Sequence, residues 1–278
     1  MSTVSWTPFA SRCQTGMCRN KRCPHLTIFS FLIFTPFFCS VLAKASGVTG
    51  QQSASYRFSP PATILPYENA GYRISESTDG AIHVSIDAQP LKNKTPYPVE
   101  IHNKAARKVL RSGKLASMPA GLSKIERQIV RNCHGYVQAV TSILSWVSEH
   151  FHYRLSNRNT LEGNCTAAAE LTVQLLSLAG IPARKTTGVV LTGKQRVLSG
   201  RALHSFVEIY YPGTGWLFSD PLASYHFVPA SYVLLNDAPA SDYFGLTLTC
   251  VEKSDSLRPV ITRDDSKTPG RINLFRFN

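Results

Sequence analysis

The clearest signal along the chain is a run of apolar residues at helical spacing. Ile129, Val130, Cys133, Val137, Val140, Leu144, Val147 and Phe151 recur at three- and four-residue steps. That spacing places them on one face of an amphipathic helix. Ser123-Lys124-Ile125-Glu126 has the form of a capping box at its start. The pattern predicts one long helix from about Ser123 to His152. A second helix is predicted to open at Asn164 or Cys165. Leu171, Leu175, Leu176 and Leu178 supply its buried side, Gly180 ends it, and Pro182 forbids continuation.

Strand-like segments flank these helices. Residues 81–87 alternate, with Ile82, Val84 and Ile86 on one face, after the turn residues Ser77-Thr78-Asp79-Gly80. Residues 184–191 and 202–211 also read as strands. In the second, Leu203, Val207 and Ile209 lie opposite His204, Phe206 and Glu208. Pro212-Gly213-Thr214-Gly215 is turn chemistry, and Trp216 to Ser219 is expected to pair back before Asp220-Pro221 ends the strand. The expected class is α+β, with helices packed on an antiparallel sheet. Residues 46–60 are rich in Ser, Gln, Gly and Ala and read as a linker into a small β-rich region ending near 118. The core is expected over 119–236, and 237–278 reads as a polar tail, disordered in part.

The first 45 residues stand apart. Arg12, Arg19, Lys21 and Arg22 precede an apolar run from Leu26 to Ala43, and Ala43-Lys44-Ala45 follows. This is the three-part layout of a secretory signal, with cleavage expected after Ala45. The 18-residue run is also at the lower limit for a membrane-spanning anchor, so both readings stand. Either one exports the rest of the chain, to a periplasmic or secreted location. The formal charge of +13 overstates the exported part, because the leader holds five basic residues and no acids. Beyond it, 25 basic residues face 17 acidic ones, which favours contact with anionic surfaces such as cell envelopes. The basic residues are scattered, with no aromatic-interleaved stripe, so no nucleic-acid partner is expected.

Four of the seven cysteines lie in the leader without Cys-x-x-Cys spacing. Cys133, Cys165 and Cys250 remain, an odd number that points to a free and reactive thiol. If Cys165 is that thiol, the other two are left either bridged or free. Gly163-Asn164-Cys165 places Cys165 at a helix start, where unpaired N–H groups and the helix dipole favour the thiolate. An unperturbed thiol is only about 3% ionised at pH 7. His204 follows 39 residues later, and Asp220 a further 16. A hairpin through the 212–215 turn would bring His204 and Asp220 together. The carboxylate could then fix the imidazole, whose other nitrogen would face Cys165. Tyr153 is a candidate oxyanion donor or, alternatively, a buried tyrosine packing the helix end. His150 and His152 are not accompanied by Cys-x-x-Cys or His-Glu-x-x-His spacing, so neither a metal nor another cofactor is expected.

Taken in order, Gly163-Asn164-Cys165, Gly180-Ile181-Pro182-Ala183-Arg184, His204-Ser205-Phe206-Val207-Glu208, Gly215-Trp216 and Asp220-Pro221 resemble the core of the transglutaminase-like superfamily. Upstream, Trp146-Val147 and His152-Tyr153 are similar to that family's helix end. The resemblance spans about Ser123 to Leu235. It departs at Thr166, Ser205-Phe206 and Leu222, where many members carry Trp, Ala-Trp and Thr. The resemblance implies a transglutaminase/papain-like core with Cys165 as nucleophile, His204 as base and acid, and Asp220 as orienting carboxylate. It also implies acyl transfer through a thioester: hydrolysis or transamidation of peptide, isopeptide or amide bonds in a protein, peptide or cell-envelope substrate. An arylamine acetyltransferase shares the Cys, His, Asp order, but Leu161-Glu162-Gly163 stands where its Arg-Gly-Gly would be. A non-catalytic envelope-binding module with a relic site is the alternative from another class.

Overall fold

The alternating strand at 81–87 belongs to a sheet larger than its sequence neighbourhood implies. The computed structural model describes residues 47–115, 118–119, 121–155, 160–235 and 239–260. The leader and residues 261–278 lie outside these. Among the described residues, no helix is long and apolar enough to cross a membrane.

The described residues open with strands β1 (Gly47–Ser59), β2 (Tyr67–Glu68), β3 (Tyr72–Glu76) and β4 (Ile82–Ala88). Helices α1 (Lys104–Leu115), α2 (Leu122–Val130) and α3 (Tyr136–His150) follow. The short parallel pair β5 (His152–Tyr153) and β6 (Glu162–Gly163) leads into α4 (Cys165–Leu178). The remainder is β7 (Ala183–Val190), β8 (Gln195–Val197), β9 (Leu203–Tyr211), β10 (Gly215–Ser219), β11 (Tyr232–Leu234), β12 (Thr247–Asp255) and β13 (Arg258–Val260). A four-stranded sheet runs β10-β9-β7-β11. A second sheet runs β2-β3-β4-β1-β12-β8, with β13 also paired to β1.

These elements stack in three layers. Ile209, Val207, Leu217, Ala183 and Tyr211 on one face of the four-stranded sheet join the cluster formed by α3 and α4. Phe206, Phe218, Val189, Tyr232 and Val233 join the opposite cluster, with Tyr56, Ile74, Ile82, Val84 and Ile86 of the larger sheet. The four-stranded sheet is therefore covered on both faces, and residues 205–209 of β9 are all buried. The expected α+β architecture, helices on an antiparallel sheet, is the one observed, with an added third layer.

Three local expectations are corrected. Residues 47–59 are not a linker but strand β1, in which Ala54, Tyr56 and Phe58 are buried at every second position. The polar positions between them point outward, and composition concealed the alternation. The C-terminal segment supplies β12, which pairs antiparallel to β1 from Ser59↔Thr247 to Gln52↔Asp255. The single long helix is two. The Tyr136 N–H donates to the Thr95 carbonyl at 2.9 Å, and the Tyr97 N–H to the His134 carbonyl at 2.8 Å. Backbone groups that a continuous helix would pair internally are thus taken by the 95–97 segment. Leu122 opens α2 after Gly121, whose φ of 84° is left-handed, and no side chain caps it. Glu126 lies buried instead of closing a capping box. Cys133 and Cys250, left open as bridged or free, are both free thiols, lying against different core clusters.

One close helix contact is unbalanced. The Ser177 hydroxyl of α4 is buried without a hydrogen-bond partner among the described residues. A Cβ on Gly113 of α1 would meet that oxygen at 2.3 Å. Ser177→Ala is expected to raise stability by about 1 kcal/mol, since an unpaired buried hydroxyl is removed. Gly113→Ala should destabilise the wild type and be tolerated better in the Ser177→Ala background. Urea unfolding of the two single variants and the double variant measures this coupling, and strict additivity would refute it.

Candidate active site

Cys165 is the first residue of α4, and local chemistry fixes it there. Asn164 is extended, with φ −87° and ψ −175°, and its side-chain oxygen accepts the Ala167 N–H at 3.2 Å. This caps the helix and leaves the amides around Cys165 free for other partners. The thiol is almost fully buried. The His204 ring and the backbone N–H groups of Ser205 and Thr166 face the thiol and favour its thiolate. Burial pushes the Cys165 thiol up, but these groups and the His204 charge outweigh it, so its pKa falls below the ordinary thiol value. The Thr166 and Ser205 hydroxyls meet at 3.0 Å, tying the head of α4 to β9.

His204 sits near the start of β9, opposite Gly188 of β7. A side chain at Gly188 would strike the Val233 carbonyl at 2.6 Å and the Phe206 ring at 3.3 Å. Glycine there lets β11 close against β7 behind the histidine. The β9–β10 hairpin pairs Ser219 with Val207, so the next residue, Asp220, comes alongside the face carrying His204 and Phe206. His204 Nε2 donates to Asp220 Oδ2 at 2.6 Å. The other ring nitrogen, Nδ1, is thereby left to Cys165. Phe206 stacks on the imidazole with centroids 6.3 Å apart, and Tyr232 meets it edge-on at 5.7 Å.

The Asp220 carboxylate is fully buried. Its Oδ2 also accepts the Tyr232 hydroxyl at 2.7 Å, and its Oδ1 accepts the Leu222 N–H at 2.9 Å. Burial opposes protonation of His204. The hydrogen bonds to Asp220 and Cys165 and the charges of both outweigh burial and raise its pKa to about 10. The arrangement favours an imidazolium between a thiolate and a carboxylate. Burial raises the Tyr232 phenol well above its usual value, reinforced by the Asp220 charge, so it stays a donor.

His204 is thus hydrogen-bonded to Asp220 on one side, and shares a cleft with Cys165, whose thiolate it favours. Tyr153 is not a buried packing residue: it is 56% exposed and lines the same cleft as Cys165 and His204, a space of about 310 Å³. Its phenol pKa is raised by partial burial and by the neighbouring Cys165. Two further participants escape the sequence reading. Tyr232 lies in an apolar run, and nothing in its spacing marks it as a partner of Asp220. Glu208, which the sequence places only on the strand face shared with His204, is buried. It accepts from Arg184 Nε at 2.7 Å, from Asn69 Nδ2 at 2.8 Å and from the Tyr67 hydroxyl. The Arg of the Gly-Ile-Pro-Ala-Arg segment is therefore a clasp between β7, β9 and β2, stacked at 4.8 Å over Trp216.

Residues 123–221 match the family model of the transglutaminase-like superfamily, so the chain carries a transglutaminase-like core over that stretch. Similar solved structures include a candidate cysteine protease from Cytophaga hutchinsonii, 15% identical, with a TM-score of 0.41 over 82% of this chain and 94% of that one. The periplasmic domain of TgpA from Pseudomonas aeruginosa, in a form bound to ethylmercury, is 15% identical, with a TM-score of 0.36 over 62% of this chain and 74% of that one. Red sea bream transglutaminase is 12% identical, with a TM-score of 0.25 over 63% and 46%. No curated protein sequence matches the chain.

Two outcomes follow for titration. Alkylation of Cys165 by iodoacetamide should remain fast well below pH 8.5, about where a free thiol loses reactivity. Asp220→Asn should move that profile toward the free-thiol range, and Tyr232→Phe should move it the same way by less. A profile unchanged in Asp220→Asn would show that the carboxylate does not hold the imidazole. For stability, the folded pKa of His204 lies above its unfolded value of about 6.5. Its contribution is complete below pH 6.5 and is lost as pH rises toward 10. Denaturation midpoints from pH 6 to 10 should fall less steeply in His204→Ala than in the wild type.

Proposed function

We propose that the protein is an exported cysteine-dependent acyl-transfer enzyme that hydrolyses or transamidates peptide, isopeptide or amide bonds through a thioester on Cys165. The observation that carries this reading is the 2.6 Å bond from His204 to the buried Asp220 carboxylate, with the Cys165 thiol in the same cleft as that imidazole. The family match over the same residues supports it. Export rests on the three-part leader in the sequence, and 119–236 is taken as the catalytic core. The flanking strands β1 and β12 support that core from one side.

In this mechanism the Cys165 thiolate attacks the substrate carbonyl carbon, and the carbonyl π electrons move to oxygen. The Tyr153 hydroxyl, exposed in the cleft, donates to the oxyanion. His204 Nδ1–H then protonates the departing amine as the C–N bond breaks, leaving a thioester. Neutral His204 next takes a proton from water or an acceptor amine. That nucleophile attacks the thioester carbon, and the thiolate leaves. Asp220 remains ionised throughout and keeps the Nε2 proton in place, so Nδ1 performs both transfers. Tyr232 and the Leu222 amide hold the carboxylate during this cycle.

Cys165→Ala and His204→Ala should each lower turnover of a peptide or amide substrate about 10³-fold or more, with Asp220→Asn also strongly impaired. Incubation with a peptide library or cell-wall fragments, followed by acid quench and mass spectrometry, should place an acyl adduct on Cys165 and none on Cys133 or Cys250. An adduct-free Cys165, with turnover unaffected by Cys165→Ala, would favour an envelope-binding module with a relic site.

A further inference from the structure

We infer that the cleft beside Cys165 selects substrates bearing a carboxylate near the bond to be broken, and that Arg196 and Arg201 bind it. This rests on the reading of Cys165 as the reacting group and names the substrate class for that site.

Both arginines line the same cleft as Cys165, His204 and Tyr153, and among the described residues no Asp or Glu lines it. Neither forms an ion pair with a carboxylate among the described residues. The arginines that do have a close acidic partner among the described residues do not line this cleft: Arg57 with Asp79, Arg73 with Glu68, Arg154 with Glu162 and Arg184 with Glu208. Unneutralised cations facing one concave surface leave a positive potential in it, focused by the low-dielectric walls. His204 adds to this when protonated.

Arg196 is also held in place rather than free to wander. Its Nη1 donates to the Val190 carbonyl at 3.0 Å and its Nη2 to the Arg201 carbonyl at 3.3 Å. These bonds use part of its donor set and leave the rest of the planar fork for a ligand. Its backbone sits in β8, in register with Leu248 of β12. The loop on either side is pinned: the Leu198 N–H donates to the Leu246 carbonyl at 2.8 Å, and the Cys250 N–H to the Lys194 carbonyl at 2.8 Å. Leu198 is buried. The larger sheet, which takes no part in the catalytic row, thus carries one wall of the cleft to the nucleophile. A guanidinium fixed in this way loses little side-chain entropy on gripping a carboxylate, for which its fork geometry is suited.

Two sources of the carboxylate fit this chemistry: an acidic side chain beside the scissile bond, or the terminal carboxylate of a short peptide. The test does not depend on turnover. Cys165 is alkylated at low salt with anionic iodoacetate and with neutral iodoacetamide, and the ratio of the two rate constants is compared across variants. The wild-type ratio should exceed that of Arg196→Gln/Arg201→Gln by about 5- to 10-fold and shrink in high salt. Arg201→Gln alone, at an exposed position, should lower it part of the way even if Arg196→Gln disturbs the loop. His204 is present in every protein compared and cancels. In a second arm, three short N-acetylated peptides compete with iodoacetamide. One has Glu and an amidated C-terminus, one Gln and a free C-terminus, and one Gln and an amidated C-terminus. Protection by the first identifies a side-chain carboxylate, and protection by the second a terminal one. Equal iodoacetate preference in the wild type and both variants overturns the proposal. So does protection by the uncharged peptide as good as by the charged ones. Should no acyl adduct form on Cys165, the enzymatic reading fails separately, while the halide ratio still reports whether the cleft prefers anions.

Discussion

A carboxylate with no solvent contact is the constraint around which the site is arranged. Removing an ion of this size from water costs several kcal/mol even after the protein relaxes around it. Asp220 offsets that cost with three donors: the His204 ring, the Tyr232 hydroxyl and the Leu222 amide. Only the first can carry a full positive charge. The buried anion therefore favours a protonated imidazole, and the imidazolium in turn favours a thiolate at Cys165. Each charge in the row is made tolerable by the next.

That dependence reaches well beyond the three residues. Tyr232 lies on β11, whose surroundings are fixed by the larger sheet. The Tyr56 hydroxyl donates to the Ala230 carbonyl at 2.7 Å, and the Tyr72 hydroxyl to the Tyr232 carbonyl at 2.8 Å. The Gln52 side chain accepts the Ala230 N–H at 2.6 Å. Two tyrosines and a glutamine from strands β1 and β3 thus position the segment that supports Asp220. The Arg184–Glu208 clasp does similar work at the other end of β9, joining β2 to the four-stranded sheet. These bonds between buried and half-buried polar groups help to fix how the layers meet.

Much of the site was legible because its determinants are local. The head of α4 could be read from Asn164, Cys165 and the following leucines, and its end from Gly180 and Pro182. The meeting of His204 with Asp220 followed from one turn and two short strands. What escaped depends on distant partners. Residues 47–59 look like linker by composition, yet Ala54, Tyr56 and Phe58 alternate and need only the partners β4 and β12 to become a strand. The break between α2 and α3 is invisible to periodicity, since both helices bury the same kind of stripe. It arises from backbone bonds to Thr95 and Tyr97, some forty residues upstream. Glu208 lies on a strand face that reads as solvated unless a second sheet covers it. Tyr232 and Arg196 acquire their places from strand pairings that no short window of sequence contains.

The partnership of β1 with β12 also sets the order of events as the polypeptide is made. Gln52 and Asp255, whose side chains bond at 2.7 Å, are 203 positions apart. Strand β1 therefore waits, with its hydrogen-bonding edge open toward β12, until about two hundred further residues have been produced. Closing so large a loop is slow, and an unpaired edge invites pairing with a neighbouring molecule in the meantime. A nascent chain ending before Thr247 lacks both this partner and the strand that holds Arg196 in register. The wall of the cleft that carries Arg196 is thus tied to a strand some fifty residues further along the chain.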